Sequence, residues 1–172
     1  MSFINSILKV FVGDKSKQDV KALQGNITKI KSFESALESL SHDELRAKTA
    51  YFKELIKQAR SEKDAKIATL QAEVETIEDI DKREDLYLEI DTLEKEAYEI
   101  SEKTLNDILP EAFAVIKETA KRFKENTSVK VTATAKDREL SSTKTYITLE
   151  GDHAVWANSW SAAGKQITWD MV

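Results

Sequence analysis

The spacing of apolar residues changes once along these 172 residues, and that change fixes the fold class. Up to Phe123 apolar positions recur at steps of three and four, the repeat of an amphipathic helix. Beyond Asn126 they recur at steps of two, as in VKVTATA. TKTYITL then adds the β-branched and aromatic residues that favour strands. Four glycines and one proline leave few places for tight turns, which suits long helices. The expectation is a mainly α chain with a small antiparallel sheet of three or four strands over residues 128–169, α+β overall.

Punctuation divides the helical part. Phe3, Ile4, Ile7, Leu8 and Phe11 share one face of a short amphipathic helix, which Gly13-Asp14 ends. Val20, Leu23, Ile27, Ile30 and Leu37 mark the next helix, with Gly25 tolerated inside it. Ser41 and Glu44 form a capping box that starts a helix through about Ala59, its buried stripe being Leu45, Thr49, Phe52 and Ile56. Two heptad series follow, Ile67, Leu70, Val74, Ile77 and then Leu86, Ile90, Leu93, Ala97, Ile100. They slip out of phase across Asp79 to Asp85, where a turn would sit. Periodicity alone fits one long helix or a hairpin equally well. Pro110 suits the first turn of a new helix and pushes Leu109 out of helical geometry. Phe113, Ile116, Ala120 and Phe123 would be the buried stripe of that helix. Glu111 at its start and Lys121, Arg122 and Lys124 at its end complement the helix dipole. Four segments result: residues 1–59, helical; 60–108, coiled-coil-like; 109–125, one helix; and 126–172, β.

The net charge of −5 is unevenly spread. Residues 1–31 carry six lysines against Asp14 and Asp19, whereas residues 60–108 carry sixteen acidic and seven basic side chains. A basic head on an acidic protein points to an anionic partner for the head. The acidic middle argues against nucleic acid along that segment. With the apolar face of residues 3–12, Lys9, Lys15, Lys17 and Lys21 would meet anionic lipid, each worth about 1 kcal/mol near such a surface. The apolar run is too short to span a bilayer.

Signs of a reaction centre are missing. No cysteine is present, which excludes disulfides and thiolate metal sites. Asp79, Asp81, Glu84 and Asp85 lack the glycine and the spacing of a calcium loop. His42 and His153 have no ligand neighbour at metal-site spacing and read as surface residues. No G-x-x-x-x-G-K-[ST] loop exists to cradle phosphates. No catalytic, cofactor-binding or metal-binding residue is therefore assigned. Trp156, Asn158 and Trp160 would share one strand face, with Trp169 close in sequence. They read as the core of the sheet rather than a peptide grip.

Two stretches, LSHDELRAKTAYF from Leu40 and ILPEAFAVIKETAKR from Ile108, resemble the start of SecA-type preprotein translocase ATPases. In that family a glutamine-containing adenine-contact motif and a phosphate-binding loop follow the second stretch; neither occurs by Val172. Family members join the two stretches by a short connector, so residues 60–104 read as an insert whose ends stay close. The resemblance thus favours an antiparallel helical hairpin over 60–108. Residues 125–169 read as a second insert. The resemblance implies an N-terminal segment preceding the nucleotide-binding motifs of a motor that moves preproteins through a SecY-type channel. ATP and magnesium would belong to the parent, and the segment itself would not hydrolyse ATP. It further implies that Phe3, Ile4, Ile7, Leu8, Lys9, Phe11, Lys15, Lys17 and Lys21 contact membrane or channel, and that Phe113, Ile116, Ala120 and Phe123 pack on the motor domain. Implied partners are the channel, anionic phospholipid, preprotein and a possible second copy. The implied location is cytoplasmic, peripheral to the inner face of a bacterial membrane. The alternative is a non-enzymatic coiled-coil adaptor with a small β module.

Overall fold

The computed structural model of the chain describes residues 15–169. Helices α1 (Lys15–Ser32) and α2 (Glu34–Glu38) lead into two long helices, α3 (His42–Val74) and α4 (Ile80–Glu125). A β module follows, made of β1 (Ser128–Thr132), α5 (Ala135–Ser141), β2 (Ile147–Glu150), β3 (His153–Ala157), β4 (Ser159–Ala162) and β5 (Lys165–Thr168). The architecture is the expected α+β. The head over residues 3–12, with Phe3, Ile4, Ile7, Leu8, Lys9 and Phe11, lies outside the described residues.

Helices α3 and α4 form the antiparallel hairpin. Moving fifteen residues up α3 from Lys48 to Lys63 moves the ion-pair partner fifteen residues down α4, from Glu111 to Glu96. The register is therefore unbroken for about 22 Å at 1.5 Å per residue. Ile67, Leu70, Val74, Ile90 and Leu93 fill the upper seam, with Leu86 against them. Each contributes about 2 kcal/mol by leaving water.

Three sequence expectations about the long helices are corrected. The helix begun by the Ser41–Glu44 capping box does not stop near Ala59 but runs to Val74. The polar residues after Ala59 are helix formers, and the apolar positions beyond them already face α4. The hairpin turn sits at residues 75–79 and ends on Asp79, the first residue of DIDKRED, the rest of which is already in α4. Asp79 caps α4 by accepting hydrogen bonds from the backbone N–H of Asp81 and Lys82.

Pro110 does not begin a helix; it is buried inside α4. A mid-helix proline removes one backbone hydrogen bond and costs about 3 kcal/mol. Here the seam above and the packed base below hold both halves in line. Glu111 accordingly serves no helix start. Its carboxylate pairs with Lys48 at 2.7 Å.

The helix foreseen from Val20 to Leu37 is broken at Phe33, and Leu37 lies in the separate α2. Leu37, Leu45, Ala114 and Val115 make the core at the hairpin's base, with Ile30, Phe33, Leu40 and Phe52 packed on it. Lys117 and Lys121 of α4 reach Glu34 and Glu38, fastening α2 alongside.

In the β module a three-stranded antiparallel sheet has the order β1-β3-β2, and β4 and β5 pair separately. VKVTATA is only partly strand. Thr134 and Asp137 form a second capping box, so α5 begins at Ala135. Trp156 and Trp160 do not share a strand, because the chain breaks at Asn158 and passes from one sheet to the other.

Candidate functional site

The base of the hairpin is where most elements meet. Arg122, in the last turn of α4, is nearly buried and uses its whole guanidinium. Nε donates to Glu118 at 2.8 Å, Nη1 lies 3.1 Å from His42 Nδ1, and Nη2 donates to the Leu37 and Leu40 carbonyls at 3.0 and 2.8 Å. Those carbonyls end α2 and the loop after it, so one side chain supplies the donors that the chain's irregular stretch lacks. His42 is half-buried against Arg122, which corrects the reading of it as a plain surface residue; His153 is exposed.

A second polar knot ties the helices to the sheet. Asp137 is fully buried. It accepts from Arg46 Nη2 at 2.7 Å, from Trp156 Nε1 at 3.2 Å, and from the Thr134 backbone N–H and hydroxyl at 2.8 and 2.7 Å. Burial pushes the Asp137 carboxyl up, but the Arg46 and Thr134 hydrogen bonds together hold it well below the usual carboxylate range. Asp43, at the start of α3, accepts from the Thr132 backbone and hydroxyl at 2.8 and 2.7 Å, and those bonds lower its pKa as well. Sequence reasoning missed this network. Its one local signal was the T-x-x-D spacing at Thr134, which was read as strand.

Between the knots lies a cavity of about 310 Å³, lined by Leu45, Thr49, Val115, Thr119, Phe123 and Trp156 among others. At its edge Arg122 has its guanidinium engaged within the chain, and Arg46 binds there through both Nη atoms. What space remains suits an apolar group rather than a phosphate. Among the described residues no three His, Cys, Asp or Glu side chains converge to hold a metal ion. The described glycines stand apart in sequence, at 25, 151 and 164.

Large apolar side chains remain uncovered beside this base. On α1, Val20 and Leu23 are more than half exposed, and Ile27 is also exposed. On α4, Phe113 is 52% and Ile116 65% exposed, so the stripe of Phe113, Ile116, Ala120 and Phe123 is open at its first two positions. The cause is geometric: the side of α4 that meets α1–α3 carries Ala114, Val115, Glu118 and Arg122, all buried. Ala120 is half-buried. Phe123 turns to the β module, stacking on Trp169 at 5.5 Å and packing on Val129, Val131 and Ala154. Trp160 meets Trp169 edge-on at 6.0 Å, so these aromatics share one small core. Of the expected lysines, Lys21 is exposed on α1, and Lys15 and Lys17 lie in its first turn. No helix among the described residues is long and apolar enough to cross a membrane.

The profile of the SecA DEAD-like domain matches residues 8–136, most of the chain. The chain belongs to this family. Among curated relatives, the protein translocase subunit SecA of Flavobacterium psychrophilum is 76% identical over all 172 residues, and that of Christiangramia forsetii is 59% identical over the same length. The subunit SecA of Bacteroides fragilis is 44% identical over 98% of the chain. The chain spans about 15% of the length of these relatives. The first two matches run end to end, so residues 60–108 and 126–172 both have counterparts in those relatives. No solved structure matches.

Proposed function

We propose that this chain is the N-terminal part of an ATP-driven motor that moves preproteins through a SecY-type channel at the inner face of the bacterial membrane. Its own share is contact and packing. In this reading ATP and magnesium are held elsewhere in the motor. The observation that carries this reading is the end-to-end match to relatives bearing the SecA name. Phe113 and Ile116, with Ala120 and Phe123 behind them, form the face on which the motor domain rests. The exposure of the first two supports that role, since large uncovered apolar groups beside a packed core mark interaction surfaces.

The basic head contacts anionic phospholipid and the channel through Phe3, Ile4, Ile7, Leu8, Lys9, Phe11, Lys15, Lys17 and Lys21, and it is also where two copies would meet. The test uses the full-length protein. Phe113→Glu with Ile116→Glu should abolish preprotein-stimulated ATP hydrolysis and translocation while far-ultraviolet circular dichroism keeps its helical signal. Phe3→Glu, Ile7→Glu and Phe11→Glu together should abolish sedimentation with anionic liposomes. Unchanged translocation in the first variant removes the packing role. Unchanged sedimentation in the second removes the anchor.

A further inference from the structure

Helix α4 carries a second face that nothing above uses. Ile80, Tyr87, Tyr98 and Leu105 are exposed on it, Ile80 by 77% and Tyr98 by 63%. At 100° per residue these four, with Glu84, Asp91, Glu94 and Glu102, fall within an arc of about 80°, running about 38 Å along the helix. The arc lies roughly 100° from the seam formed by Leu86, Ile90, Leu93 and Ala97. Tyr87 also borders the groove between the helices, where Gln71, Ala72, Val74 and Glu75 line a concavity of about 460 Å³. The face thus alternates apolar or aromatic groups with carboxylates. Among the described residues none of those four carboxylates has a hydrogen bond or ion pair, whereas Glu89 and Glu96, on the far side of the helix across the seam, are paired to α3.

We infer that this face docks a cationic amphipathic helix of a partner protein, laid along the α3–α4 groove as a third strand of the coiled coil. The chemistry selects that occupant. An apolar ridge needs apolar groups at helical spacing opposite it. Carboxylates set between the ridge residues need lysine or arginine heads, whose alkyl stems lie along Tyr87 and Tyr98. An anionic lipid surface or a nucleic acid would be repelled by the same carboxylates. Lys95 and Arg83 at the margins leave the acidic groups in excess.

The experiment measures, by fluorescence anisotropy with the full-length protein, binding of a designed leucine–lysine helical peptide and of its leucine–glutamate counterpart. The lysine peptide alone should bind, and more weakly as salt rises. Tyr87→Ala with Tyr98→Ala should lower its affinity roughly tenfold, as expected of interface tyrosines. Replacing Glu84, Glu94 and Glu102 by Gln and Asp91 by Asn should do the same through exposed, nearly isosteric changes that leave folding intact. Neutralising exposed carboxylates off this face (Asp85→Asn, Glu99→Gln and Asp107→Asn) should change nothing. Equal loss in that control would overturn the inference as mere net charge. It would also be overturned by equal binding of the glutamate peptide, by loss of self-association in the tyrosine variant, or by anionic vesicles binding through the same residues.

Discussion

The two ends of α4 hold the chain together by different physics. At the upper end Ile90 and Leu93 face Ile67, Leu70 and Val74 across an apolar seam, and the charges there sit on the outside as exposed pairs. At the base Ala114 and Val115 pack beside Glu118 and Arg122, a buried ion pair that also satisfies carbonyls of the preceding turn. Apolar burial is non-directional, so the upper seam can absorb small changes by shifting. The base cannot, because a buried charge that loses its partner keeps its full desolvation cost. The base is therefore the specified end, and the open residues Phe113 and Ile116 project from it.

That contrast can be broken in order of effect. Arg122→Leu should destabilise most, by about 3–5 kcal/mol, because Glu118 is left buried and unpaired and the Leu37 and Leu40 carbonyls lose their donor. Chemical denaturation followed by circular dichroism reads this as a lower midpoint. Leu93→Ala should cost about 3 kcal/mol through the cavity it leaves. Its effect should stay local, with faster hydrogen exchange in residues 67–97 and little change in β1 and β3.

Acid should loosen the helix–sheet junction. The Asp137 pKa in the folded chain lies below its ordinary 3.8, so the bonds to Arg46, Thr134 and Trp156 contribute stability above about pH 4, lost progressively as the pH falls below that. Trp156 fluorescence should report the change, and Asp137→Asn should reproduce part of it at neutral pH. Least of all, Lys63→Ala should leave the denaturation midpoint almost unmoved, since its pair with Glu96 is largely solvated. A large loss there would mean that the seam depends on charge after all.

The sequence made the seam legible because burial there follows one rule, and the heptad residues obey it except Ile77, which falls in the turn. The capping box at Ser41 was equally plain, since both of its hydrogen bonds lie within four residues. What stayed hidden depends on distant partners. Pro110 carries a local signal to start a helix, which packing on both sides overrides. Arg122 looked like a dipole-balancing cation, because nothing nearby in sequence announces the Leu37 and Leu40 carbonyls some 80 residues earlier. Phe113 and Ile116 have the right spacing for a buried stripe. Periodicity reports that a face is apolar, not which molecule covers it.

The central claim is that this uncovered face at the base of α4 rests on the rest of the motor. The chain has no cysteine, so Ile116→Cys is a clean probe within it. Maleimide labelling of Ile116→Cys should be fast in residues 1–172 alone and at least about tenfold slower in the full-length protein with its other cysteines removed, as expected for a site buried by docking. Equal labelling rates in the two would contradict the account.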